Sequence, residues 1–360
     1  MKSNYKRLGD YIRPVDVRNR DLSVTELVGL TIDKAFIPSV ANTIGTDLSN
    51  YKVISHNQFA CSLMQVSRDE KIPIAIYKGD KAIMSPAYPM FEVCRTDDLL
   101  PEFLMMWFSR KEFDREVTFW AVGGVRGSLT WEDFLNLYIP VPPIEEQRKI
   151  VAEYQAVERR IENNRRLIAT LESTAQTIYR KMFIEDIDPN NLPDGWRMGV
   201  LGDVMNISSG KSLSDKVDSP NNKYEYPVAG ASGIIGYSKE SNQSERFLTT
   251  GRVGTIGVVN RYLTPAWTAD NVLVAKSDHY EYAYQVLQVV NYQELIGGGV
   301  QNLITQTGLS NVVMPIPSMS KILDFENRVE SISGLSHTLK NENILLDNVL
   351  SLLLSKLSNY

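Results

Sequence analysis

The residues that most resemble a nucleotide-binding site are Gly210-Lys211-Ser212, which match the end of a phosphate-binding P-loop. The complete motif needs a glycine at position 205, where this chain has Met205. Six further glycines are spaced by three and lack the Gly-x-Gly of a dinucleotide-binding turn: Gly230, Gly233, Gly236, Gly251, Gly254 and Gly257. We therefore interpret these glycines as strand and turn residues.

Catalytic and metal chemistry have no support in the sequence. The three histidines (His56, His279, His337) and two cysteines (Cys61, Cys94) do not stand at metal-ligand spacings. The nucleophile motif Gly-x-Ser-x-Gly is absent from the sequence. We expect reduced thiols and no cofactor or metal bound by this chain. Without an apolar run of membrane-spanning length or a signal-peptide pattern at residues 1–14, we expect a cytoplasmic protein with no membrane contact.

The formal net charge is −5 over 360 residues. A protein that holds DNA by charge alone is normally basic, so this balance argues against a free-standing nucleic-acid binder. It remains compatible with a chain that recognises DNA inside a larger complex.

The chain contains an internal repeat with an offset of 175 residues. Residues 123–126 and 139–142 recur as residues 298–301 and 314–317, so that each half closes on a Pro-x-Pro element. The match extends upstream with small gaps, so that Leu8-Gly9-Asp10 recurs as Leu201-Gly202-Asp203, 193 residues later. Three matches in the same order indicate a duplication.

A long heptad pattern follows each Pro-x-Pro element, with apolar positions alternately four and three residues apart. Asn164 interrupts the first pattern, and Asn343 and Ser336 interrupt the second. A parallel pairing would place each asparagine against an apolar residue, whereas an antiparallel pairing places Asn164 against Asn343, where hydrogen bonding is retained. We therefore predict an antiparallel pair within the chain, its register fixed by Asn164 and Asn343. The alternative is a coiled coil between two copies of the chain.

These patterns predict a mixed α/β (α+β) protein with an internal pseudo-two-fold repeat. Two globular blocks are joined by an antiparallel two-helix coiled coil, one block at each end of a rod of about 50 Å. The predicted boundaries are residues 1–142 for the first block, 143–184 for the first helix, 185–317 for the second block and 318–360 for the second helix.

The segment from Ile139 to Val151, with its Pro-x-Pro-Pro-x-x-Glu-Gln string at residues 140–147, resembles the specificity (S) subunit of type I restriction-modification systems. The resemblance extends over nearly the whole chain, because the duplicated architecture matches as well. The second copy is degenerate: Pro315-Ile316-Pro317 is kept, and Ser318-Met319-Ser320-Lys321 replaces the remainder.

The resemblance implies that each globular block is a target recognition domain for one half of a bipartite sequence in double-stranded DNA. The helices would set the half-site spacing and dock two modification subunits, which are N6-adenine methyltransferases. Restriction subunits would add translocation and cleavage. S-adenosylmethionine, ATP and Mg would belong to these partners, and the chain itself would be non-catalytic.

Side chains that recognise base edges are polar or basic and are carried on loops. The candidate DNA-binding residues are therefore Gln65, Arg68, Lys71 and Arg126 in the first block, and Ser209, Lys211, Ser212, Arg252, Arg261 and Gln301 in the second. Segments 208–212 and 249–252 are expected to be loops. Four arginines away from the heptad contact positions are candidates for partner docking or for contact with the unspecified DNA spacer: Arg159, Arg160, Arg165 and Arg166.

Two other classes of function stay open at this point. A coiled-coil scaffold or decoy subunit would bind proteins and show no dependence on DNA. A nuclease or methyltransferase with an unrecognised site would be active as the purified chain.

Overall fold

The computed structural model describes residues 4–39, 45–64, 66–122, 128–296 and 303–360. They form two compact units, one made of Met1–Asn163 with Glu342–Tyr360 and the other of Asn164–Asn341. Each unit holds one globular block and parts of two long helices. The predicted mixture of helix and sheet with two globular blocks is confirmed.

The described part of the first block consists of short strands and four helices. Its strands are β1 (Tyr5–Arg7), β2 (Ile12–Pro14), β3 (Val28–Leu30), β4 (Phe36–Pro38), β5 (Lys52–Ser55), β6 (Phe59–Cys61), β7 (Ile74–Ile76), β8 (Lys81–Met84), β9 (Met90–Val93) and β10 (Tyr138–Pro140). Its helices are α1 (Val66–Asp69), α2 (Pro101–Phe108), α3 (Lys111–Val122) and α4 (Trp131–Leu135).

The first long helix, α5 (Ile144–Phe183), leads into the second block. The strands of that block are β11 (Arg197–Val200), β12 (Asn206–Ser209), β13 (Tyr226–Gly230), β14 (Gly233–Ser238), β15 (Phe247–Gly251), β16 (Val259–Tyr262), β17 (Trp267–Thr268), β18 (Val272–Lys276) and β19 (Val313–Ile316). Its helices are α6 (Tyr280–Val289) and α7 (Gln306–Ser310), and the second long helix is α8 (Met319–Lys356).

The main sheets of the two blocks share one topology. The main sheet has the strand order β2-β9-β6-β7 in the first block and β12-β18-β15-β16 in the second. A two-stranded pair, β1 with β10 and β11 with β19, joins the start of each block to its Pro-x-Pro strand. The duplication inferred from sequence therefore extends to the strand order.

Equivalent hydrogen bonds also recur in the two blocks. The backbone N–H of Leu8 donates to the carbonyl of Leu137 at 2.8 Å, and that of Leu201 donates to the carbonyl of Val312 at 2.9 Å. Thr130 caps α4 and its counterpart Thr305 caps α7, each accepting a backbone N–H three residues later. The repeated Leu-Gly-Asp and Pro-x-Pro segments are thus neighbours in each block.

The main-sheet core of the first block is aromatic. The rings of Phe59 and Phe91 stack with centroids 5.0 Å apart, and Phe108 and Phe134 pack around them. All four residues are fully buried, so this cluster contributes much of the apolar burial that stabilises the block.

Gln147 attaches α5 to the first block and is completely buried. Its amide Nε2 donates to the carbonyls of Asp98 (2.7 Å) and Pro142 (2.8 Å), while its Oε1 accepts the backbone N–H of Leu100 at 2.9 Å. Leu100 precedes the first turn of α2, where a helix lacks internal acceptors. The glutamine of the Pro-x-Pro-Pro-x-x-Glu-Gln string thus satisfies three backbone groups at once.

The long helices run antiparallel within each unit. In the first unit Ile150 and Tyr154 of α5 pack in the same core as Leu354 and Leu357, and Arg160 Nε lies 2.9 Å from Glu342. In the second unit Glu172 pairs with Lys340 at 2.6 Å, and Tyr179 meets Phe325 with ring centroids 5.8 Å apart. As residue numbers increase along α5, the numbers of the residues that they contact in α8 decrease, which is the predicted antiparallel direction.

Asn164 is buried, with 3% of its surface exposed, which fits a polar residue within an apolar helix contact. The predicted Asn164–Asn343 contact would join the two units, and it stays a prediction.

Candidate nucleic-acid interface

Each main sheet has two ends, and the helix attachment defines one of them. In the first block, Asp98 and Leu100 follow β9, so α5 is attached where β9 finishes. At the opposite end β2 and β6 finish and β9 begins. We call this the loop end: in the first block it comprises the described residues of 14–18, 62–73, 85–90 and 128–129. The corresponding loop end of the second block comprises 209–212, 251–258, 269–272 and 303–304.

In the first block, Arg68 and Lys71 lie at the loop end, between β6 and β7 as predicted. Arg68 lies in α1 and forms a bidentate pair with Asp69, with Nε 2.6 Å from Oδ1. Lys71 Nζ lies 3.5 Å from Asp33. Both basic side chains are exposed, so an incoming phosphate or base could compete for them. Gln65 lies outside the described residues.

Arg126 and Gln301 also lie outside the described residues, but residues on their C-terminal side are described. The backbone N–H of Leu129 donates to the carbonyl of Leu63 at 3.0 Å, and that of Ile304 donates to the carbonyl of Arg252 at 3.1 Å. These contacts bring the described flank of each repeated Gly-Gly-Val segment to the loop end of its own block.

In the second block, Ser209, Lys211, Ser212 and Arg252 come together at the loop end. Ser209 pairs with Leu273 and Gly251 pairs with Val272, on either side of β18. Lys211 and Ser212 follow in an exposed loop. Lys211 forms no side-chain ion pair with any residue that the structure describes.

Two of the predicted loops begin as strands. Ser208 and Ser209 belong to β12, and Thr249, Thr250 and Gly251 belong to β15. The reason is that β18 provides ladder partners on both sides, which extend the strands through these polar residues. The loops begin only at Gly210 and Arg252.

Glycine is required at the two points where these strands end. A Cβ on Gly210 would lie 1.9 Å from the carbonyl oxygen of Ala269, and one on Gly251 would lie 1.9 Å from that of Thr255. Gly254 and Gly257 have φ values of +75° and +83°, which L side chains rarely adopt. These contacts and angles show that the backbone conformation at the start of both loops requires glycine.

Arg261 differs from the other candidates because its side chain is occupied within the fold. Its Nη1 lies 2.7 Å from Glu281 and 2.5 Å from Ser333, and its guanidinium lies 3.6 Å from the ring centroid of Tyr284. These contacts connect β16 to α6 and α8, away from the loop end. Arg261 therefore links elements within the second block away from the loop end, and its role as a DNA-binding residue stays a prediction.

Sequence reasoning missed three basic residues near the loop end of the first block. Arg18 and Arg20 both donate to Asn50, at 2.8 and 2.7 Å, and Lys52 donates to the carbonyl of Tyr88 at 2.9 Å. The pair of arginines two residues apart, directly after β2, was the available signal. Arg160, a candidate for partner docking, forms an ion pair with Glu342.

The described basic side chains at the loop ends offer hydrogen bonding and positive charge. Burial strongly raises the pKa of the Cys61 thiol, so this thiol stays protonated and unreactive at neutral pH. Within the described ranges no group of His, Cys, Asp and Glu side chains could hold a metal ion. Among the described helices, none has the length and apolar character needed to cross a membrane.

Comparison with known proteins gives concordant results. The family model for the type I restriction modification DNA specificity domain matches residues 11–173 and 193–344. The type I restriction enzyme MjaIX specificity subunit of Methanocaldococcus jannaschii is 26% identical over 133 residues, which is 33% of this chain and 31% of that protein. The match thus spans about one third of that relative.

Solved structures of similar proteins cover the chain more fully. The crystal structure of a type I restriction-modification system S subunit from M. genitalium is 14% identical and superimposes with a TM-score of 0.62, covering 98% of this chain and 95% of the other. The HsdS subunit from Thermoanaerobacter tengcongensis is 20% identical with a TM-score of 0.37, covering 99% and 97%. The M. genitalium structure shares the fold. Because the family model covers most of the sequence, the chain belongs to the type I restriction-modification DNA specificity family.

Proposed function

We propose that this chain is the DNA sequence-specificity subunit of a type I restriction-modification complex. Each globular block recognises one half of a bipartite target in double-stranded DNA. The two helices set the distance between the half-sites and dock two N6-adenine methyltransferase subunits. Restriction subunits join the same complex.

The observation that carries this proposal is the duplication of the loop end. The main sheets of both blocks have the same strand order, and in each block polar and basic residues follow the strands at the end opposite the helix attachment. Two equivalent polar surfaces in one chain suit two half-sites read by one subunit.

The helices suit the spacing role. They contain 40 and 38 residues, about 60 Å each at 1.5 Å per residue. Half-sites one turn of DNA apart are separated by about 34 Å. Helices of this length are therefore sufficient to separate two recognition blocks by one helical turn of DNA.

The charge distribution supports a complex in which partner subunits contribute to DNA binding. The formal net charge is −1 for residues 1–142 and −5 for residues 184–317, so neither block is basic. We infer that the partner subunits supply much of the phosphate contact, and that the free chain binds DNA weakly. The chain is non-catalytic and acts in the cytoplasm; S-adenosylmethionine, ATP and Mg belong to the partners.

The test is to co-express the chain with its modification subunit and map N6-methyladenine in the host genome. We expect one motif made of two short half-sites around a fixed unspecified spacer. A stable complex that leaves DNA unmethylated would instead favour the scaffold or decoy function, and activity of the purified chain alone would favour an enzyme.

A further inference from the structure

The loop end of the second block contains an unpaired buried donor and an unpaired buried acceptor. Arg252 Nε and Asn271 Oδ1 are both inaccessible to solvent, and neither has a hydrogen-bond partner among the described residues. Leaving such groups unpaired costs about 1–3 kcal/mol each, so each of them needs a partner that the described residues do not supply.

The two atoms belong to residues that are joined by a backbone hydrogen bond. The β15–β18 ladder ends with Gly251 opposite Val272, and just beyond it Arg252 donates its backbone N–H to the carbonyl of Asn271 at 2.9 Å. Arg252 lies in a bend and Asn271 in a turn. The unpaired N–H and the unpaired oxygen therefore belong to residues that are held next to each other through their backbones.

Arg252 also lacks the ion pair that two other arginines of the second block form. Arg197 pairs with Asp203 and Arg261 with Glu281, whereas Arg252 has no carboxylate within 4 Å among the residues described. Its backbone is held on both sides, by Asn271 and by Ile304. A fixed backbone with an uncompensated guanidinium is suited to an external acceptor.

We propose that Arg252 and Asn271 act as one base-recognition pair, in which Asn271 orients Arg252 toward a guanine of the half-site read by the second block. This inference rests on the proposed function. In the DNA complex Arg252 Nε donates to Asn271 Oδ1, which leaves the two terminal nitrogens to donate to guanine O6 and N7. A bidentate arginine–guanine contact of this geometry is the commonest base-specific contact in the major groove.

At the corresponding position of its main sheet the first block has Cys61 and Pro89 instead, which provides an internal control. There the backbone N–H of Cys61 donates to the carbonyl of Pro89 at 3.0 Å, and the Cys61 side chain is fully buried. The Pro89 ring and the buried Cys61 thiol cannot replace the guanidinium donors and the amide oxygen acceptor of the second block. Variants of Arg252 and Asn271 should therefore change one half-site only.

The experiment uses the complex of the full chain with its modification subunits. First, genome-wide N6-methyladenine mapping compares the wild type with Arg252→Gln, Asn271→Ala and the control Arg197→Gln, whose side chain is exposed on β11. We expect Arg252→Gln to relax one guanine position in one half-site and Asn271→Ala to relax the same position less. Arg197→Gln should leave the motif unchanged.

Second, the wild-type complex is tested on target duplexes in which each guanine in turn is replaced by 7-deazaguanine, which lacks the N7 acceptor. We expect binding to fall about 10- to 100-fold at one position, the range of one hydrogen bond from a charged donor, and no further loss there for Arg252→Gln. The comparison of duplexes with the wild-type complex does not depend on a variant that folds.

Three outcomes would contradict the proposed base-recognition pair. The half-site that changes in the variants could contain no guanine, or the wild-type complex could bind every 7-deazaguanine duplex equally. The Arg252 and Asn271 variants could also relax the motif at different positions. If the wild-type complex assembles but methylates no DNA, the proposed function itself fails, and the inference falls with it.

Discussion

The Glu326 side chain of α8 accepts a hydrogen bond from the backbone N–H of Tyr282, with 2.7 Å between Oε1 and N. Tyr282 lies in the first turn of α6, the helix that follows β18. In the first block Gln147 makes the corresponding contact with Leu100 at the start of α2. The repeat position of Gln147 is Ile322, which is buried in the apolar core, so the second copy has moved this contact one helical turn further along α8.

Substitutions of Glu326 should distinguish the effect of its hydrogen bond on stability from the effect of its charge. Burial is the main cause that raises the pKa of the Glu326 carboxyl; the Tyr282 hydrogen bond opposes it and the Glu281 carboxylate adds to it. A folded-state pKa above the unfolded value favours folding at low pH, and this contribution is lost as pH rises through the folded pKa. We therefore expect Glu326→Gln to be at least as stable as the wild type at pH 7 and to lose that advantage near pH 4.

The measurement is urea unfolding of both proteins at the two pH values. Glu326→Ala, which removes the acceptor as well, should cost about 1–2 kcal/mol at pH 7. A loss of stability in Glu326→Gln at pH 7 would mean that the charge itself stabilises the fold.

Gln147→Ala should destabilise the first unit strongly for a single polar substitution. It leaves the Leu100 N–H and the carbonyls of Asp98 and Pro142 without their partner, in a place closed to water. We expect a loss of about 2–3 kcal/mol, measured as a fall in the unfolding midpoint. Arg148→Ala, which removes an exposed side chain one residue later, is the control and should change little. Equal effects of the two variants would contradict the anchoring role of Gln147.

The ion pair between Lys34 and Asp114 is the most buried one described in the first block, with 2.8 Å between Nζ and Oδ1 and side chains 9% and 11% exposed. Asp114 also accepts the backbone N–H of Ile72 just before β7. Asp114→Ala leaves the Lys34 ammonium buried without a counter-charge, and we expect a loss of about 3–5 kcal/mol.

Thermal unfolding would measure this loss. Arg115→Ala on the same helix removes an exposed partner of Glu112 and should cost under about 1 kcal/mol. If Asp114→Ala proved as mild as Arg115→Ala, Lys34 would have another route to solvent or another partner.

Gly334→Ala should stabilise α8. Gly334 is exposed within the helix, and a Cβ there would meet nothing within 4 Å. Alanine reduces the conformational entropy lost on folding, so we expect a gain of about 0.5–1 kcal/mol and a higher melting temperature. Gly251→Ala provides the contrast, because its Cβ would collide with the carbonyl of Thr255 and the melting temperature should fall. A fall for Gly334→Ala would reveal a contact on that face.

The sequence by itself determined the architecture because its signals are local or periodic. The heptad positions predicted both long helices, and the burial of Asn164 agrees with its place in that pattern. The repeated Leu-Gly-Asp and Pro-x-Pro segments predicted two equivalent blocks, whose strand order proved to be the same. Such patterns can be recognised without knowledge of distant contacts, because each lies within one stretch of the chain.

Only the tertiary structure decided what the polar side chains do. Arg261 and Arg252 both belong to segments of strand and turn residues, yet Arg261 is enclosed by Glu281, Ser333 and Tyr284 while Arg252 lacks any counter-charge among the described residues. Asn271 carried no signal in the sequence, because its importance comes from the backbone hydrogen bond that it accepts from Arg252, just beyond the ladder between β15 and β18. Long-range pairing decides whether a given arginine is occupied or available, and a single sequence does not reveal that pairing.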